Sequence, residues 1–148
     1  MTLKHKTVFL ADDDEDDRLF FSMAVEGIGD NINLKTFNDG EQLMNYLNVD
    51  AEIPDILFLD INMPRLSGLE CLEKIRNSNK WKDMPVAMYS TSGSEIDIER
   101  SKELGAQVYI MKPFKLKILI EIIEWVLNTD WENTSLSPKR FFIKESNW

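Results

Sequence analysis

Five short apolar runs alternate with five segments of helical periodicity, and this alternation constrains the fold more than any other feature of the chain. The runs are TVFLA (7–11), INLKTF (32–37), DILFLD (55–60), PVAMYS (85–90) and QVYIM (107–111). DILFLD is nearly all apolar, the pattern of a strand buried on both faces. The intervening segments are DEDDRLFFSMAVEGI (14–28), NDGEQLMNYL (38–47), SGLECLEKIRN (67–77), SEIDIERSKELGA (94–106) and KLKILIEIIEWVL (115–127). Acids open the first helix, Asp39 stands where a cap is needed for the second, and Gly105 ends the fourth. Strand–helix pairs with short connections imply a parallel sheet covered on both faces. Right-handed crossovers make it a doubly wound α/β fold. In the first helix the spacing places Phe20, Met23, Ala24 and Gly27 on the core face, with Leu19 and Phe21 about 100° to either side.

The chain has 148 residues, enough for one domain with a real core, and 43% of them are hydrophobic. No apolar run approaches membrane length, no N-terminal segment marks export, and the single Cys71 excludes an internal disulfide framework. Together these favour the cytoplasm. The net charge of −9 argues against nucleic acid as a direct partner.

In doubly wound folds polar sites lie at the carboxyl ends of the strands, near the switch in strand order. Here those ends carry Asp12 and Asp13 after the first strand, Asp60 after the third, Ser90 after the fourth, and Lys112 with Pro113 after the fifth. Clustered carboxylates are unfavourable unless a cation or a proton neutralises them. An all-oxygen donor set favours a hard ion such as Mg²⁺. A carboxylate beside such an ion can act as a nucleophile toward phosphorus and form an aspartyl phosphate. A Lys and Mg²⁺ would clamp the oxygens of the transferring group, and a Ser hydroxyl could hydrogen-bond the product.

These motifs give the chain a close resemblance to the receiver domains of two-component response regulators. The matching features are the Asp12-Asp13 pair, LDINMPRLSGLE around Asp60, MYSTS with Ser90, and YIMKPF with Lys112 and Pro113. Any one alone is weak; the four in order are highly specific, and they span about residues 5–127. The resemblance implies a flavodoxin-like (βα)5 fold with a five-stranded sheet of order 2-1-3-4-5. It implies Asp60 as phosphoacceptor, with Mg²⁺ held by Asp12, Asp13, Asp60 and the backbone carbonyl of Asn62. Lys112 would bind the phosphoryl group, Ser90 would move toward it, and Tyr109 would change rotamer as Ser90 moves. The Lys112–Pro113 peptide would be cis. A histidine kinase or histidine phosphotransfer protein would be the donor. The readout would be a protein target, contacted through the face built by the fourth helix, fifth strand and fifth helix. Ser90 replaces the family's commoner Thr, and Thr91 stands where Ala or Gly is usual. Asn62 and Ser92 occupy positions that tune phosphoryl lifetime in the family.

Other features carry blander expectations. Asp14 to Asp17 serve mainly to start a helix. His5 reads as a surface residue and Cys71 as helix packing. Met63, Pro64 and Gly68 shape the loop after Asp60, with Gly68 supplying a backbone angle that other residues resist. Leu19 and Phe21 have two readings, a wide core stripe or a docking ridge for a kinase helix. Residues 1–127 form the expected receiver, with no output module behind it. Residues 128–148 form a tail whose Trp131, Phe141, Phe142 and Trp148 are unusual for a disordered segment. Those aromatics would pack on the domain or on a second copy in a homodimer. The sequence is also compatible with two competing readings. One is a haloacid-dehalogenase-like phosphatase with Asp12 as nucleophile, which leaves Asp60 and Lys112 without a role. The other is an interaction module that keeps the fold without phosphorylation.

Overall fold

The apolar runs become the strands of one parallel sheet. In a computed structural model, which describes residues 5–49 and 52–148, the elements are β1 (Lys6–Ala11), α1 (Glu15–Ile28), β2 (Ile32–Phe37), α2 (Gly40–Val49), β3 (Ile56–Leu59), α3 (Gly68–Arg76), β4 (Val86–Ser90), α4 (Glu95–Glu103), β5 (Val108–Met111), α5 (Leu116–Asn128), α6 (Pro138–Phe141) and β6 (Phe142–Ile143). A short 3₁₀ turn, Glu145–Asn147, follows. The expected N-terminal boundary at residue 1 lies outside the described residues. The sheet order is β2-β1-β3-β4-β5-β6, with every neighbouring pair parallel.

Alternate residues of each strand serve opposite faces. On one face Phe9, Leu57, Leu59 and Met88 meet Leu43 and Leu47 of α2 and Cys71, Leu72 and Ile75 of α3. On the other, Leu10, Phe58, Tyr89 and Ile110 meet Phe21 and Ala24 of α1 and Leu119, Ile122 and Val126 of α5. Burying each of these larger apolar side chains contributes roughly 1.5–3 kcal/mol before the entropy of ordering is counted. Arg76 adds a polar tie that the sequence does not advertise. From the end of α3 its guanidinium donates to the carbonyls of Gly105, Lys82 and Met84 and to Gln107 Oε1, at 2.7–3.1 Å. Gln107 Oε1 also accepts from Val86 N at 2.7 Å, so Arg76 links α3 to the entries of β4 and β5. Burial lowers the Arg76 pKa from its ordinary value.

Three expectations need correction. The sheet has six strands rather than five, because the tail adds β6 to the outer edge of β5 in the register Tyr109↔Phe142 and Ile110↔Ile143. The exposed edge of β5 offers unpaired backbone groups, and the buried Phe141 and Ile143 supply the apolar anchor. Of the two places open to the tail aromatics, they take this same domain, in line with one of the expected alternatives: Trp125 makes edge contacts with Trp131 and Trp148, and Arg140 lies 5.4 Å from the Trp125 ring. The core face of α1 is turned by one residue from that expected. Phe21 rather than Phe20 is fully buried, 4.9 Å from Phe58 and 5.4 Å from Tyr89, while Met23 is exposed. The third correction concerns Gly68, which has no positive φ; Arg65 carries the left-handed conformation of that loop, at φ 64°. Gly68 is required for space instead, since a Cβ there would stand 2.0 Å from the Asp60 carbonyl oxygen.

Candidate functional site

Backbone pairing continues one residue past the strands and sets the candidate residues side by side. Asp12 N donates to Phe37 O at 3.1 Å, Asp60 N to Ala11 O at 3.0 Å, and Lys112 N to Ser90 O at 2.8 Å. Asp12, Asp60 and Ser90 are buried and Asp13 is exposed. The chain then turns into α1 with Asp14 as N-cap, whose Oδ1 accepts from Asp17 N at 3.0 Å. Asp12 Oδ1 accepts from Asp14 N at 3.0 Å, and Arg18 Nη1 donates to Asp12 O at 2.9 Å.

Lys112 reaches across this edge from β5. Its Nζ lies 2.8 Å from Asp12 Oδ2, 2.8 Å from Asp17 Oδ2 and 3.5 Å from Asp60 Oδ2. It also sits 5.4 Å from the centre of the Tyr89 ring. Burial alone would lower the Lys112 pKa, but hydrogen bonds to Asp12 and Asp17 and the field of Asp60 hold it above its ordinary value. Burial pushes the Asp60 carboxyl up to about 7, with Lys112 opposing and the charge of Asp12 adding to the rise. Burial raises Asp12 as well, again opposed by Lys112.

Asp12, Asp13 and Asp60 each present a carboxylate oxygen, all within 4.8 Å of one another. Asp12 Oδ2 is fully buried and, apart from its ion pair with Lys112, accepts no well-aligned hydrogen bond. A raised carboxyl pKa, an underserved oxygen and an all-oxygen donor set fit a hard divalent cation. The exposed Asn62 follows within the same loop, its N–H 3.4 Å from Asp60 Oδ1. Gly68 N donates to Ile61 O at 2.9 Å, and Ser67 and Glu70 complete a reciprocal cap at the start of α3. Arg65 pairs with Asp39 at 2.7 Å and Glu41 at 2.9 Å, tying the loop after Asp60 to α2.

On the other side of the site Ser90 Oγ accepts from Ser92 N at 3.2 Å. Tyr109 is fully buried, and its hydroxyl donates to Ser92 O at 2.7 Å. Burial raises the Tyr109 pKa, while hydrogen bonds involving Ser90 and Ser92 act the other way. Ser92 Oγ donates to Asp97 Oδ2 at 2.8 Å, which joins this loop to α4. The Lys112–Pro113 peptide is trans, since the described residues contain no cis bond, and this corrects the expected isomer. Trans is the intrinsically favoured form by about 0.5–1 kcal/mol. The next two N–H groups, of Phe114 and Lys115, both donate to Glu145 Oε1 of the tail, at 3.2 and 3.0 Å. Cys71 is buried in α3, its thiol pushed up to about 12 by burial first, and His5 is exposed.

The strand ends thus bring together Asp12, Asp13, Asp60, Ser90 and Lys112. Asp17 and Tyr89 are site neighbours that the strand-end rule overlooks. Asp17 could have been found by noting that the first turn of α1 rises directly from the β1 edge.

The family model of the response regulator receiver domain matches residues 8–124. The chain belongs to this family. Among curated relatives of this receiver, a chemotaxis protein CheY homolog of Campylobacter jejuni is 39% identical over 74 residues, covering 50% of this chain and 57% of that protein. Chemotaxis protein CheY1 of Helicobacter pylori is 33% identical over 91 residues, covering 62% of this chain and 73% of that one. The receiver therefore spans a little over half the length of the first relatives it matches. Among solved structures, the Mn(2+)-bound form of response regulator Rcp1 aligns with TM-score 0.74 and 26% identity over 89% of this chain and 99% of that one. The phosphorylated cyanobacterial phytochrome response regulator RcpA aligns with TM-score 0.77 and 32% identity over 90% and 99%. Among the described residues no helix is long and apolar enough to cross a membrane.

Proposed function

We propose that this receiver takes a phosphoryl group onto Asp60 from a histidine kinase or histidine phosphotransfer protein and signals through the face built by α4, β5 and α5. The observation that carries this reading is the convergence of Asp12, Asp13 and Asp60 on one another and on Lys112. It is supported by the solved relatives, of which one is described as Mn(2+)-bound and another as phosphorylated. Mg²⁺ held by Asp12, Asp13, Asp60 and the carbonyl of Asn62 would neutralise the carboxylates and polarise the phosphoryl oxygens. An Asp60 carboxylate oxygen forms the new P–O bond as the P–N bond to the donor histidine breaks. The electron pair returns to the imidazole, which takes up a proton from solvent. Lys112 then turns from its carboxylate partners to the phosphoryl oxygens, a charge-assisted contact. Ser90 follows with its hydroxyl, and Tyr109 responds to the vacated space.

In this reading the protein catalyses only its own phosphorylation and dephosphorylation. A phosphatase built on Asp12 is disfavoured, since it gives no role to Asp60, which shares the carboxylate cluster with Asp12 and also lies beside Lys112. The receiver ends near residue 127, and the tail lies on its signalling face. Phe142 meets Tyr109 edge to face, with ring centres 5.8 Å apart, so a protein target that reads β5 meets β6 as well.

Acetyl phosphate with Mg²⁺ is expected to add one phosphoryl group to the chain, read by intact mass, and a chelator in excess should abolish the gain. No gain with Mg²⁺, or a gain that survives chelation, would contradict the proposal.

A further inference from the structure

Asp17 lies outside the strand-end set, yet its Oδ2 is 2.8 Å from Lys112 Nζ, closer than the 3.5 Å to Asp60 Oδ2. Its position is built rather than incidental. Asp17 N is held by the Asp14 cap, and Asp14 N is held in turn by Asp12 Oδ1, each at 3.0 Å. The first turn of α1 is thereby fixed against the end of β1, with the Asp17 side chain 35% exposed. An ammonium has three protons to donate, and three carboxylates surround this one.

We propose that Asp17 is a positioning residue that holds the Lys112 ammonium on the α1 side of the site and must release it before Lys112 can serve a phosphoryl group on Asp60. The inference rests on the receiver reading of Asp60 given above. Loading and the loaded state both require Lys112 to exchange Asp17 for phosphoryl oxygens. Hydrolysis starts from a state in which that exchange has already occurred. Asp17 therefore slows loading and leaves hydrolysis nearly unaffected, because only interactions that change between ground and transition state alter a rate.

Asp17→Asn keeps the side-chain shape and removes the competing charge. Asp16→Asn removes an equal charge from an exposed residue of the same turn that does not touch Lys112. Loading from acetyl phosphate with Mg²⁺, and phosphoryl loss after donor removal, are followed for wild type and both variants. Loading by Asp17→Asn should rise about 3- to 5-fold, the effect of one partly exposed ion pair. Its rate of loss should change less than about 2-fold, and Asp16→Asn should load within about 2-fold of wild type because its charge is solvent-screened. A loosened fold would alter loss and loading together, so the split between them distinguishes positioning from structure. Equal loading by the two variants, or equal changes in loading and loss, overturns the role of Asp17 and leaves the receiver reading standing. Wild type that takes up no phosphoryl group overturns the reading and the role together.

Discussion

Asp60→Asn is expected to abolish phosphoryl uptake and, at the same time, to raise the thermal midpoint of the metal-free protein at pH 8. The first effect follows from losing the oxygen nucleophile while keeping the side-chain shape. The second follows from the cost of the charged carboxylate. Burial raises Asp60 from its ordinary value of 3.8 to about 7. A carboxyl with a raised folded pKa contributes its stability fully below the unfolded value, and loses it as pH rises through the folded one. The metal-free wild type should therefore lose stability between about pH 4 and pH 7, the window set by those two values. The neutral Asn should remove that part of the decline. Discounted for relaxation and water penetration around the charged carboxylate, a gain of roughly 1–2 kcal/mol corresponds to about 3–6 °C in a domain of this size. Thermal melts at pH 4.5 and pH 8, with and without Mg²⁺, check this. The variant should exceed wild type at pH 8 without metal and gain less than wild type when Mg²⁺ is added. A midpoint that falls equally with pH in both proteins would show that Asp60 is not the strained carboxylate.

Gly68→Ala should be the most damaging single-methyl addition near the site. The new Cβ would lie 2.0 Å from Asp60 O, 2.7 Å from Asp60 C and 2.9 Å from Ile61 Cα. All three are backbone atoms of the loop that carries the candidate phosphoacceptor, so no flexible side chain can give way. Either the α3 N-terminus lifts off the loop and breaks the 2.9 Å bond from Gly68 N to Ile61 O, or Asp60 moves. Overpacking against backbone is expected to cost about 3 kcal/mol. Urea denaturation should show that loss, and Mg²⁺ affinity should fall with it because Asp60 shifts relative to Asp12. A variant within about 0.5 kcal/mol of wild type, an ordinary surface effect, would mean that the loop yields more easily than its packing indicates.

The parts of the fold written in local pattern were legible in the sequence. DILFLD marks a doubly buried strand, and β3 is buried at every residue. The cap Asp39 and the stop at Gly105 stand where their chemistry places them. Parts that depend on tertiary contact were not. The choice between Phe20 and Phe21 depends on α1 leaning on both the sheet and α5, which shifts the centre of its apolar arc. Gly68 signals an unusual backbone angle in isolation, and its real constraint is a carbonyl eight residues earlier in the chain. The tail aromatics announce packing without saying where, and the open edge of β5 decides it. At the site, Asp12, Asp13, Asp60, Ser90 and Lys112 follow from strand ends and topology. Asp17 reads locally as a helix starter, because its partner, Lys112, is 95 residues away.

Reductive trapping asks which residue carries the phosphoryl group. Borohydride converts an aspartyl phosphate to homoserine, which peptide mass spectrometry locates after loading with acetyl phosphate and Mg²⁺. The expected result is homoserine in place of Asp60, with Asp12, Asp13 and Asp17 unchanged. Trapping at Asp12 in place of Asp60, or a phosphoryl group that resists borohydride and maps to His5, would contradict it.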